Sequence, residues 1–128
     1  MGLRLPRPTD AELAILRVLW ERGPATVRQV HEALADARDT GYTTTLKLMQ
    51  IMAEKGLVTR DESARTHVYA ARLTQDETQR QLVSDLADRA FGGSAAALVL
   101  QALRAGETSV EELEEIRELI DRHNRGAQ

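Results

Sequence analysis

The stretch Gly41-Tyr42-Thr43-Thr44-Thr45-Leu46-Lys47-Leu48-Met49-Gln50-Ile51-Met52-Ala53-Glu54-Lys55-Gly56 decides the fold. A helix from about Thr44 to Lys55, stepping about 100° per residue, gathers Thr45, Leu48, Met49 and Met52 on one face. Thr43, Lys47, Gln50 and Glu54 fall opposite, and Leu46 and Ile51 flank the apolar stripe. The consecutive threonines offer side-chain oxygens to the first-turn N–H groups, and Lys55-Gly56 supplies a basic last turn and a left-handed stop. Taken alone, this is an ordinary amphipathic core helix. Its neighbours give its polar face a purpose.

Upstream, Thr9-Asp10-Ala11-Glu12 and Thr26-Val27-Arg28-Gln29 are capping boxes, in which residues three apart satisfy each other's end of a helix. The first opens a helix with Leu13, Ile15, Leu16, Leu19 and Trp20 inward, stopped at Gly23-Pro24. The second opens a shorter helix with Val27, Val30 and Leu34 inward, followed by a polar loop over 36–41. Downstream of Gly56 the period changes. Leu57-Val58-Thr59-Arg60 and Thr66-His67-Val68-Tyr69 are β-branched and aromatic runs joined by the polar tip 61–65, which predicts a hairpin. Three helices and a hairpin, in that order, predict a winged helix-turn-helix over residues 1–73. Its third helix enters the DNA major groove and its wing lies on the adjacent backbone.

Residues 74–128 read as three more helices. Thr74-Gln75-Asp76-Glu77 and Ser109-Val110-Glu111-Glu112 are further boxes, and Ser94 caps the nearly all-apolar segment 95–103 between them. These stripes have little within one chain to bury against, so a second copy is expected to cover them. The dimerisation residues predicted on this basis are Leu82, Leu86, Phe91, Leu98, Leu103, Leu113 and Ile116. The fold class is therefore mainly α, a winged helix followed by a three-helix dimerisation region.

Composition narrows the function. The net charge of −3 hides a division. Residues 1–73 carry 11 Lys and Arg against 9 Asp and Glu, and residues 74–128 carry 6 against 11. Phosphate contact is thereby confined to the first half. The chain has no cysteine, which removes disulfides, thiolate catalysis and Cys-ligated metals, and suits a cytoplasmic location. No apolar run approaches the ~20 residues that span a bilayer, so no membrane insertion is expected. His31, His67 and His123 fall on three separate elements, and no serine sits in a glycine-flanked elbow. Neither an enzyme nor a cofactor is expected. The candidate DNA-binding residues are Thr43, Thr44, Lys47 and Gln50 towards the groove, with Arg60 and Arg65 on the backbone. The rival from another class is an adaptor that uses the winged helix for protein contact.

Several runs resemble the BlaI/MecI/CopY family of bacterial repressors: Thr9–Leu13 with Val18–Thr26, Tyr42–Thr45, Glu54–Val58 and Ala64–Tyr69. Phe91–Ser94 and Ser109–Leu113 extend the resemblance to about Arg122. It implies a homodimeric winged-helix repressor that binds double-stranded DNA at pseudo-palindromic operators. In the β-lactam branch, a membrane sensor protease is the partner that starts release, and the repressor is cut between Asn and Phe. The matching pair here is Gln101-Ala102, in a segment expected to be buried, which makes these the candidate cleavage residues. Leu46 and Ile51 stand where many members carry basic residues, and the C-terminal Cys cluster of the copper-sensing branch is absent.

Overall fold

The computed structural model describes residues 7–35 and 40–126, so most of the polar loop predicted over 36–41 lies outside the described residues. Six helices and one hairpin follow in order: α1 (Asp10–Arg22), α2 (Val27–Leu34), α3 (Tyr42–Lys55), β1 (Val58–Asp61), β2 (Val68–Ala71), α4 (Gln75–Ala90), α5 (Ala95–Ala105) and α6 (Val110–Gly126). The chain divides into two compact units, residues 1–82 and 83–128.

In the first unit, the capping boxes start α1 and α2 where the sequence places them. The Thr9 hydroxyl accepts from the Glu12 N–H at 3.2 Å, and Glu12 accepts from the Thr9 N–H at 2.9 Å. Thr26 and Gln29 repeat the exchange at 3.2 and 2.9 Å. The start of α3 differs from the sequence reading. Its N-cap is Gly41, without a side-chain cap, and Tyr42 and Thr43 are already helical. The threonines therefore sit inside the first turn. Buried Thr45 turns its hydroxyl back to the Gly41 carbonyl at 3.4 Å, while Thr43 and Thr44 are exposed.

At the other end of α3, Gly56 adopts φ +82°. That left-handed residue lets the Leu57 N–H reach the Met52 carbonyl at 2.9 Å, closing the helix and turning the chain into β1. The strands pair antiparallel with Arg60 opposite Tyr69. The second strand begins at Val68, two residues later than the sequence pattern suggests, so Thr66 and His67 belong to the tip. There the Asp61 carboxylate accepts the Ser63 N–H at 2.9 Å, a local turn that ends β1. Tyr69 also pairs with Ala25, exchanging backbone hydrogen bonds of 2.8 and 2.9 Å, which ties the hairpin to the α1–α2 connection.

The core of this unit joins Ile15, Leu16 and Leu19 of α1 to Val30 of α2, Met49 and Met52 of α3, and Leu57, Val58 and Tyr69 of the hairpin. Each fully buried aliphatic side chain stabilises by roughly 1.5–3 kcal/mol. Trp20 is half-buried at its edge and donates its indole N–H to the Leu73 carbonyl at 3.0 Å, a structural role.

One ionised group lies inside this apolar frame. Glu12 is 2% exposed, and the Lys55 ammonium meets its two oxygens at 2.8 and 3.0 Å. Burial pushes the Glu12 carboxyl up. The hydrogen bond and charge of Lys55, with the Thr9 backbone N–H, outweigh that push and hold its pKa below the ordinary value.

In the second unit and the helix leading to it, local signals again act as read. Thr74 and Glu77 cap α4 reciprocally at 3.0 Å in both directions. Ser94 accepts the Ala97 N–H at 3.0 Å, and Ser109 with Glu112 caps α6 at 3.0 and 3.1 Å. No residue of α5 or α6 is buried.

The Glu12–Lys55 pair gives a pH-dependent expectation. A carboxyl with a lowered folded pKa adds stability above its unfolded value, and that stability is lost as pH falls through the folded one. Lys55→Ala should cost about 1–3 kcal/mol at pH 7, because it strands a buried carboxylate. The cost should shrink as the pH falls, because the stranded carboxyl then takes up a proton. Urea unfolding of both proteins at neutral and acid pH checks this. An equal cost at both pH values would contradict the pairing.

Candidate nucleic-acid interface

The roll of α3 sets its exposed face. Burying Thr45, Met49 and Met52 leaves Thr43, Thr44, Lys47, Gln50 and Glu54 exposed. Thr43, Lys47 and Gln50, at i, i+4 and i+7, run along one stripe of the helix.

An open groove of about 580 Å³ runs beside that stripe. Its walls are the start of α2 with Arg28, the Tyr42–Leu46–Gln50 edge of α3, and the wing with Arg60, Arg65 and His67. The structure thus brings together Gln50, Arg60 and Arg65 of the residues singled out in the sequence. Thr43, Thr44 and Lys47 are exposed on α3 but do not line this groove.

The wing cations differ in how they are held. Arg60 stands across from Tyr69 in the ladder, with its Nε 3.4 Å from Glu62. The Tyr69 hydroxyl first, and the Glu62 charge after it, hold the Arg60 guanidinium above its ordinary pKa. Glu62 also faces His67 at 3.9 Å. Arg65 is exposed in the tip. Arg28, Tyr42 and His67 were missed as site residues. They belong to three different elements, and only the tertiary fold puts them on one groove.

The groove is suited to a polyanion with flat, hydrogen-bonding edges beside it. Guanidinium groups pair with phosphate, and an amide such as Gln50 can pair with a base edge. Among the described residues, no group of three or more His, Asp or Glu is placed to hold a metal ion. No helix there is long and apolar enough to cross a membrane.

Of the predicted dimerisation residues, Leu86 and Leu113 are 43% and 46% exposed. Phe91, Leu98, Leu103 and Ile116 are half-buried. Leu82 instead shares a narrow crevice with Leu57 and Leu73 of its own unit. Within the second unit, Leu103 of α5 and Ile116 and Leu119 of α6 line a shallow groove with Glu112 and Glu115 on its rim. Gln101 and Ala102 lie within α5 and are exposed in the single chain, whereas the burial expected from the sequence is burial under a second copy.

Comparison with known proteins agrees with this geometry. Residues 8–122 match the family model described as penicillinase repressor. The transcriptional regulator BlaI of Mycobacterium tuberculosis is 40% identical over 113 residues, spanning 86% of this chain and 82% of that protein. The penicillinase repressor of Bacillus licheniformis is 21% identical over 120 residues, spanning 94% of each. Among solved structures, the DNA-binding domain of the repressor BlaI superposes with a TM-score of 0.52 at 20% identity, over 59% of this chain and 93% of its own. The monomeric form of Bacillus licheniformis BlaI in complex with the blaP half-operator gives 0.50 at 20% identity, over 57% and 89%. Those two likenesses establish the winged-helix fold. The sequence match, which runs through almost the whole chain, establishes more: this protein belongs to the penicillinase repressor family, whose members are transcriptional repressors and not enzymes.

Proposed function

We propose that this chain is a sequence-specific DNA-binding repressor that works as a homodimer on a two-fold-related operator in the cytoplasm. The observation that carries the reading is the exposed Thr43–Lys47–Gln50 stripe of α3 beside a groove lined by Arg60 and Arg65. Family membership and the half-operator complex of a relative support it. In this reading Thr43, Thr44, Lys47 and Gln50 meet base edges or the groove floor. Arg60 and Arg65 meet phosphates.

Residues 74–128 form the dimerisation region, with the first half of α4 counted in the compact unit of the reading head. Large apolar side chains support this, since Val110, Leu100 and Ile120 are 75%, 52% and 51% exposed. Water contact over that much apolar surface favours a second copy as cover. The partners are Leu86, Phe91, Leu98, Leu103, Leu113 and Ile116. A dimer holds two α3 helices about 34–36 Å apart, one DNA turn, and the linkage contributes roughly 10²–10⁴ in avidity. Release then acts on residues 95–106, by a sensor protease cutting at Gln101-Ala102 or by a partner that lowers dimer stability. A cut needs α5 to open locally, since a helix does not fit an extended protease cleft.

Reading and anchoring should separate in binding measurements. Lys47→Ala and Gln50→Ala should each cost ~1–3 kcal/mol on a selected operator and blur preference at particular base pairs. Arg65→Ala should weaken binding evenly across sequences and shallow the salt slope by about one unit for each subunit bound. Absence of salt-dependent binding by the intact chain would contradict the reading and favour a protein-contact role.

Assembly is checked by sedimentation. The intact chain should be a dimer at micromolar concentration, and a chain truncated after Gln101 should be a monomer with an intact winged helix. A monomeric full chain contradicts the dimer, and a dimeric truncated chain contradicts release by cleavage.

A further inference from the structure

We infer that Arg28, held in place by Tyr42, is a second anchor for the DNA backbone, so that the groove grips phosphate from α2 as well as from the wing. The inference rests on the DNA-binding reading and adds two residues to it. The Arg28 guanidinium carbon lies over the Tyr42 ring, 5.3 Å from its centroid. The Tyr42 and His31 rings meet edge-to-face, with centroids 5.8 Å apart and planes at 84°. His31 of α2 and Tyr42 of α3 thus form a small aromatic corner on which Arg28 rests.

The kind of contact matters. A guanidinium held over an aromatic face is attracted to the ring as a cation, which takes up none of its N–H donors in conventional hydrogen bonds. Arg60, by contrast, is engaged by Tyr69 and Glu62 before any ligand arrives. Arg28 is therefore restrained in position but keeps its donors and charge for an anion. Both residues line the groove that Arg60 and Arg65 close from the other side, and no carboxylate is among its described lining residues. An extended run of phosphates satisfies cations on two facing walls, as the duplex backbone beside a bound helix does. Tyr42 acts as the positioning residue. It is 40% exposed and contributes little to the core, which explains its presence at the start of α3 by its stack on Arg28.

The test uses the full chain and a labelled duplex of arbitrary sequence, because phosphate contacts are sequence-independent. Arg28→Gln should lower affinity about tenfold at low salt and shallow the salt slope by about one unit per bound subunit. Arg28→Lys should restore the slope but only part of the affinity, since an ammonium keeps the charge and loses the planar fork of donors. Tyr42→Leu should weaken binding about three- to fivefold and leave the slope intact, because the cation is still present but no longer held. A merely structural Tyr42 would lower the melting temperature instead. An unchanged slope in Arg28→Gln, with Arg65→Ala shallowing it as expected, overturns this inference alone. Loss of all salt-dependent binding by the unaltered chain overturns the underlying reading with it. Should Arg28→Gln fail to fold, Arg28→Lys decides, and unchanged affinity in that variant overturns the proposal.

Discussion

Met49 and Met52 have no exposed surface, and their burial against α1 and the hairpin fixes the roll of α3 about its own axis. Each residue along a helix turns the surface by about 100°, so a one-residue error in that seating would turn the Lys47–Gln50 stripe away from its place beside the groove. The Lys55–Glu12 ion pair fixes the other coordinate. It pins the C-terminal turn of α3 to the first turn of α1, 43 residues away in sequence. Gly56 then directs the chain out into the wing, and the Tyr69–Ala25 bridge brings it back. The cationic wing and the polar stripe of α3 are thus both positioned by the same core. A buried ion pair is a weak source of net stability, and here its geometry ties α3 to α1 at one place.

Local signals in this chain were legible because they are complete within four residues. Thr9 with Glu12, Thr26 with Gln29, Thr74 with Glu77 and Ser109 with Glu112 each cap the helix that the sequence assigns them. The start of α3 was misread because three threonines mimic a cap, whereas the chain becomes helical one residue after Gly41. The second strand was set two residues early, because Thr66 and His67 have strand character that the Asp61–Ser63 turn overrides. Contacts between distant residues left no periodic trace. Glu12 read as half of a capping box and gave no sign of Lys55, and Ala25 carried no sign of Tyr69. The same limit governed the candidate site. Gln50, Arg60 and Arg65 were legible once a helix and a wing were read, but Arg28 and Tyr42 joined them only when α2 and α3 were packed.

The two units follow opposite rules of composition. The first buries its apolar stripes within itself and turns a positive, amide-bearing face outward. The second is acidic chiefly through α6, and its apolar side chains remain exposed in the single chain, including Leu86, Val99 and Leu119. An acidic composition there is unfavourable for contact with phosphate. In the proposed dimer, assembly through the second unit would control occupancy at the first by effective concentration, without changing any side chain in the groove.

The central claim is that two copies of the α3 face read one duplex together. Hydroxyl-radical footprinting on a genomic fragment selected by the intact protein tests it most directly. The account predicts two protected backbone patches on one side of the duplex, related by a two-fold axis and centred about one helical turn or a multiple of it apart. A single patch at saturation, or no protection on any selected fragment, would contradict it.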